Sequence, residues 1–260
     1  MSAPSRAQNK AGVKPLKALL VIGGCCHDYK AQKDILKAGI ESRANVEVEV
    51  CFSADSSTKA MFKCYEGKDW AKGYDVVIHD ECSADIKDTA YVGNILDAHR
   101  NGVPAVNLHC AMHCYRVGQI KEPVKAGSTD AMWFDMLGLQ STGHGPQKPI
   151  EVAYVDAAHP VTSGLANWTT INEELYNNIQ VYPAAVPLAK GKQEKQETVV
   201  AWTHEYGEKK TRIFSTTLGH NNETVADDRY LNLVTRGLLW ACGKIGADGK
   251  TAEGYGAAAK

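Results

Sequence analysis

The segment KALLVIGG at 17–24 is apolar without alternation and closes on two glycines. A strand wetted on one face alternates apolar and polar residues. A run that never alternates is buried on both faces, which calls for a parallel sheet covered by helices on each side. The following segments keep that requirement. KAQKDILKAGIESR (30–43) carries helical periodicity, and VEVEVCF (46–52), YDVVIHD (74–80) and PAVNLH (104–109) read as strands. ADIKDTAYVGNILDAHRNG (84–102) reads as a helix closed by Gly102, with Pro104 just beyond. This rhythm predicts an α/β fold, a three-layer, doubly wound and mostly parallel sheet. Farther on, KPIEVAYVD (148–156) reads as a strand, and TVVAWTHEYG (198–207) and KKTRIFSTTLG (209–219) as two strands turning at Gly207. DRYLNLVTRGLLWACGKI (228–245) has the apolar spacing of an amphipathic helix. CAMHCYRVGQI (110–120) reads as the start of a helix and KGKQEKQET (190–198) as an exposed loop. One domain is expected over 14–245, between disordered tails at 1–13 and 246–260.

The chain is long enough for a large core, with 44% hydrophobic residues in 260. Its 29 basic and 30 acidic residues leave a formal net charge of -1, so no electrostatic footprint favours nucleic acid or anionic lipid. No apolar run approaches the roughly 20 residues of a membrane span, and MSAPSRAQNKAGVKPLK has no apolar region of a signal peptide. Eight cysteines, in a chain whose core needs no staples, read as free thiols rather than a disulfide framework. Cys110 and Cys114 are four apart, on one face of the expected helix, but no second pair follows to complete a structural zinc site. These readings place the chain in the cytoplasm, or in the periplasm or outside the cell if an upstream signal peptide has been removed.

In open α/β sheets ligands bind beyond the carboxyl ends of the parallel strands. The residues there are Cys25, Cys26, His27 and Asp28 after the first strand, and Glu81 and Cys82 after the third. His109, Cys110 and His113 follow the fourth, and Thr217, His220, Asn221 and Asn222 the last. A single histidine at a strand end is more often a cap or a hydrogen-bonded core residue than a catalyst. Several on one rim weigh against that reading. His79 is expected to point away from the rim, His99 to cap its helix, and His144 and His159 to sit in loops. IGGCCH lacks the glycine spacing of a dinucleotide fingerprint and the Gly-Lys-Ser/Thr of a phosphate loop.

PAVNLHCAMHC places a strand directly before a tight turn, the geometry of a nucleophile elbow. DAAHPVTSGL (156–165), NEELY (172–176), VAWTHEYGEKKTRIFSTTLGHNNET (200–224) and GLLWACG (237–243) complete a pattern. The chain resembles the ThuA-like family (trehalose-utilisation protein A) over about 17–245. The resemblance implies a class I glutamine amidotransferase-like, flavodoxin-like fold. On the amidotransferase turn His109 takes the nucleophile's place and Cys110 falls one residue past it, so no glutaminase activity is expected. The resemblance further implies a carbohydrate-processing enzyme, a hydrolase, lyase or isomerase, acting on glycosides, 3-keto glycosides included. Its catalytic residues would be His27, His109, Glu174 and His220, working as acid and base. Glu81, His113, Tyr176, Thr217 and Asn222 would bind a small-molecule carbohydrate. Two alternatives stand beside this. The cluster His27, His109 and His220 would hold a divalent metal in a metal-dependent hydrolase, lyase or isomerase. Alternatively, the chain is a non-catalytic sugar-binding module with a platform of Trp133, Phe134, Trp168 and Trp202. No nucleic-acid or membrane partner is expected, and a homo-oligomer is compatible with the pattern.

Overall fold

The structure, a computed structural model, describes residues 12–257. The expected N-terminal tail lies almost wholly outside them. β1 (Leu16–Gly24) is buried on both faces, as its unbroken apolar run requires. α1 (Tyr29–Glu41) follows, N-capped by the Asp28 carboxylate on the amide of Ala31, then β2 (Val46–Ser53) and β3 (Val76–Cys82). α2 (Thr89–Arg100), capped by Asp88, leads to β4 (Ala105–Leu108). The second half contributes α3 (Met132–Leu137), β5 (Leu139–Tyr154), β6 (Trp168–Val181), β7 (Val186–Gln193), β8 (Gln196–Tyr206) and β9 (Thr211–Thr216). α4 (Asn222–Val225) and α5 (Asp228–Ala241) close the fold.

One sheet of nine strands runs in the order β2-β1-β3-β4-β9-β8-β7-β5-β6. The first five are mutually parallel, and the rest pair antiparallel. Along β1, Leu20 and Ile22 face a core shared with Leu36 and Ile40 of α1 and Leu238 of α5. Leu19 and Val21 face the opposite core, with Ile95 of α2 and Trp133 of α3. Each such leucine or isoleucine contributes about 1.5–3 kcal/mol on burial, so the same strand anchors helices on both faces. The three layers follow from that.

Three expectations need correction. CAMHCYRVGQI does not begin an α-helix: His109–His113 is a short 3-10 segment with no side-chain cap, after which Cys114 is extended and Tyr115 takes a left-handed backbone at φ 50°. KGKQEKQET is not a loop, because Gln193 pairs with Gln196 in a tight β7–β8 hairpin. The part of the expected C-terminal tail that is described folds back onto the domain. The Tyr255 carbonyl accepts from the Asn45 amide, and the Asn45 side chain donates to Gly254.

The cysteine reading is also overturned. Cys25 is paired with Cys26, Cys51 with Cys64, and Cys82 with Cys110, while Cys114 and Cys242 are free. The core's size argues that staples are not needed, but not that the sulfurs lie apart. β1, β3 and β4 are neighbours, so their carboxyl ends bring Cys25, Cys82 and Cys110 together. The expectation of a reducing compartment loses its support with it. Among the described residues no helix is long and apolar enough to cross a membrane.

Candidate active site

Order 2-1-3 makes the carboxyl ends of β1 and β3 a switch point, where the chain leaves for opposite sides and opens a crevice. Gly24 closes β1 at φ 98°, and a Cβ there would lie 2.3 Å from the Cys82 carbonyl oxygen. Only glycine fits, and the turn it permits carries His27 over the sheet end. His109 follows β4 with φ 41°, the left-handed backbone of an elbow residue. His220 follows β9. The ring centroids are 4.7 Å apart for His27 and His109, 4.8 Å for His27 and His220, and 5.5 Å for His109 and His220.

Glu174 comes from β6, in the antiparallel half. The β5–β6 pairing is broken by several register shifts, and such bulges bend a strand and re-aim its side chains. Glu174 Oε1 lies 3.2 Å from His220 Nδ1, and Oε2 lies 3.5 Å from His109 Nε2. The loop carrying His220 is clamped to β6 by the neighbouring glutamate. The carboxylate of Glu173, fully buried, accepts from the backbone amides of His220 at 3.0 Å and Asn221 at 3.2 Å.

Hydrogen bonds set the direction of each ring. His109 Nδ1 donates to the Thr217 carbonyl at 2.7 Å, which leaves the lone pair of Nε2 on the side of Glu174. The Gln147 amide lies 2.8 Å from His220 Nε2, so Nδ1 is the nitrogen turned toward Glu174. His27 Nδ1, His109 Nε2 and His220 Nδ1 are buried and make no hydrogen bond of good geometry. One nitrogen from each of the three residues lies within 4.8 Å of the others.

The electrostatics follow from this packing. Burial, then the neighbouring His109 and His220, hold His27 down to about 2, a neutral imidazole at any ordinary pH. The Glu174 carboxylate, 3.2 Å from Nδ1, raises His220 against the cost of its burial. Burial works against ionising Glu174, yet His109 and His220 together hold its carboxyl far below the usual range.

The crevice encloses about 420 Å³, lined by His27, His113, Arg116, His144, Gln147, Glu174, Tyr176 and His220, with Cys25, Cys26, Cys82 and Cys110 along one wall. An adjoining groove of about 470 Å³ runs past Asp28, Asn221 and Asn222.

Of the nine residues expected at the site, His27, His109, His220 and Glu174 converge. His113 and Tyr176 form a wall: their rings stack at 4.2 Å, and His113 Nε2 meets the Ser141 hydroxyl at 2.9 Å. Asn222 binds Asp28 at 2.8 Å in the outer groove. Two residues are not brought to the crevice. Thr217 is fully buried and supplies only its carbonyl, to His109. Glu81 is fully buried beneath the rim, where it accepts from Tyr65 at 2.7 Å and Tyr115 at 3.1 Å. Trp133, Phe134, Trp168 and Trp202 are all buried, so they offer no aromatic platform. The sequence reading missed Glu173, Arg116 and Gln147, and it placed His144 in a loop. His144 lies on β5, its Nδ1 3.6 Å from Glu174 Oε1. The pairing of β5 with β6 would have exposed it, since His144 stands opposite Tyr176 and Gln147 opposite Glu174.

Residues 17–241 match the family model described as ThuA, trehalose utilisation. The chain belongs to the ThuA family. A ThuA-like protein from Parabacteroides merdae superposes with a TM-score of 0.66 at 20% identity, covering 95% of this chain and 98% of that one. Another, from Bacteroides uniformis, gives 0.62 at 15% identity, covering 92% and 95%. A β-galactosidase from Rahnella sp. R3 gives 0.56 at 11% identity, with 87% of this chain matched to 31% of that enzyme. At these identities the likeness is one of fold, and it agrees with the mixed, helix-flanked sheet described above. No curated protein matches this ThuA-family chain. Membership ties it to trehalose utilisation at the level of the family.

Proposed function

We propose that this protein is a carbohydrate-processing enzyme in which His27, His109, His220 and Glu174 hold a divalent cation at the floor of the crevice. The observation that carries this reading is the set of orphaned nitrogens. His27 Nδ1, His109 Nε2 and His220 Nδ1 are buried without a hydrogen bond of good geometry, in three residues that each bring one nitrogen within 4.8 Å of the others. Leaving buried polar atoms unpaired costs about 1–3 kcal/mol each, a cost that a shared cation removes. Three imidazoles and a carboxylate suit zinc or a similar first-row ion. His27 is held neutral, as a ligand must be. His109 is oriented by donating its other nitrogen to a carbonyl.

A cation here supplies Lewis-acid polarisation of a hydroxyl or keto oxygen. The chain's own residues do the rest. Arg116, His144 and Gln147 offer donors to sugar hydroxyls around the crevice. Tyr176, stacked on His113, presents a flat wall. Trehalose-derived glycosides, in plain or keto form, are the substrate class that family and pocket chemistry support together.

Metal-free acid–base chemistry is the second reading. Glu174 sits between His109 and His220 at ion-pair distance, and one imidazolium would satisfy the cluster. Elemental analysis of protein purified without a histidine tag separates the two. Close to one equivalent of metal, with turnover of a trehalose-derived glycoside lost on chelation and restored by the ion, supports the metal reading. Turnover at full rate in metal-free protein overturns it in favour of acid–base chemistry.

A further inference from the structure

The cysteine wall of the crevice is used by neither reading above. Cys25 and Cys26 leave β1, Cys82 ends β3, and Cys110 follows β4 by one residue beyond His109. The two disulfides they form are in contact, with Cys25 Sγ 3.4 Å from Cys82 Sγ. The sulfurs of Cys25, Cys26 and Cys82 all lie within 4.8 Å of one another. Cys82 and Cys110 stand in the same relation to a nitrogen of His27. A tetrahedral ion with bonds of 2.3 Å holds its sulfurs about 3.8 Å apart; Cys25 and Cys82 already stand near that spacing, and reduction frees the two bonded pairs to open to it. Cys25, Cys82 and Cys110 are buried, and Cys26 is exposed at the mouth.

We propose that, once reduced, Cys25, Cys26, Cys82 and Cys110 form a second site, for a thiophilic cation such as zinc or monovalent copper, beside the histidine cluster. A dithiol reductant converts each disulfide to two thiols and is itself oxidised to its disulfide, two electrons and two protons per pair. Binding then displaces the thiol protons to solvent. Soft thiolates favour zinc and monovalent copper over magnesium or calcium. The proposal does not depend on the function assigned to the histidines.

The test uses the full chain, reduced anaerobically with a phosphine, stripped with a chelator and titrated with Co2+. One equivalent, beyond any Co2+ held by the histidine cluster, is expected to bind with an intense near-ultraviolet sulfur-to-cobalt band. Displacement by Zn2+ or by Cu+ then shows which ion the site prefers. The double variant Cys82→Ser/Cys110→Ser is expected to lose the band, and His109→Ala to keep it. Cys26→Ser, whose side chain is exposed and carries no packing, is expected to weaken Co2+ binding at least about tenfold. A reduced, folded protein with all thiols titratable and no band overturns the proposal, as does a band unaffected by Cys26→Ser and by the double variant. Metal that binds without the band, and only when His109 is present, likewise refutes this site while leaving the histidine reading intact. The band without histidine-dependent metal does the reverse.

Discussion

At the end of β3, His79 meets Glu81, Tyr65 and His99, and Tyr115 donates to the same Glu81. Beyond β1, β4 and β9, His27, His109 and His220 meet Glu174. Both clusters join imidazole to carboxylate in a mostly buried setting, yet they are finished differently. In the first, His79 Nδ1 lies 3.0 Å from Glu81 and from the Tyr65 hydroxyl, and its Nε2 lies 2.9 Å from His99. His99 Nδ1 in turn donates to the Val103 carbonyl at 2.7 Å. All four ring nitrogens have partners, and only Oε2 of Glu81 lacks one. In the second, three ring nitrogens are unpaired, and His27, His220 and Glu174 line a crevice. Residue type does not separate structure from function here. Satisfaction and access do.

The sharpest way to break that comparison is to remove one group from the open cluster. His109→Ala and Glu174→Gln are each expected to lower turnover of a trehalose-derived glycoside by about a thousandfold or more. The melting temperature of Glu174→Gln should stay close to wild type, because Glu174 lines the crevice and the substitution keeps its shape. Steady-state kinetics beside a thermal melt checks both halves. Wild-type turnover in either variant sinks the assignment.

The closed cluster is expected to behave the opposite way. Glu81→Ala leaves His79, Tyr65 and Tyr115 without their shared acceptor in a fully buried site, which should cost about 3 kcal/mol of stability. Denaturant unfolding measures this, and metal content of the folded fraction should not change. A Glu81 variant as stable as wild type would show that the network is not structural.

Most of the open cluster can be read from the sequence, for a physical reason. Parallel strands end on one rim, so His27, His109 and His220 are placed together by the fold class alone. Glu174 is legible only through the resemblance of NEELY to a family motif. Its strand is polar, and its partner β5 contains Gly143, Gly145, Pro146 and Pro149, which an edge region with bulges tolerates but which hide a strand from period counting. Glu81 misleads because its position at a strand end says nothing about which face it takes. Of the cysteine pairs, Cys82–Cys110 escapes because 28 residues separate the two, whereas Cys25–Cys26 and Cys51–Cys64, 1 and 13 apart, escape because a large core argues against staples. Spacing rules see local pairs, whereas parallel neighbours are remote in sequence.

Glu173 tests whether the open cluster is held from behind. It touches no part of the crevice and acts through the amides of His220 and Asn221, so it is a positioning residue. Glu173→Gln keeps the shape but halves the acceptor capacity, and metal affinity is expected to fall about tenfold. Glu173→Asp, with the full carboxylate on a shorter arm, should recover part of that loss. A merely structural role would lower the melting temperature without this ordering of affinities.

The smallest expected effect is on stability against pH, measured in chelator so that protons alone compete for the nitrogens. His220 is raised above 6.5 by Glu174, so its contribution is fully present below that value and is lost as pH climbs through the raised one. His27 is lowered to about 2. Its unfolded form takes a proton below 6.5 that the folded form refuses, and it therefore costs stability as pH falls. Removing each residue should tilt the profile in opposite directions. Relative to wild type, His220→Gln is expected to be less stable near pH 5.5 than near pH 8, and His27→Gln more stable, each by a shift of about 2–4 °C. Equal tilts in both variants would mean that the two imidazoles share one environment, and the division of the cluster into a neutral ligand and a carboxylate-paired one would fail.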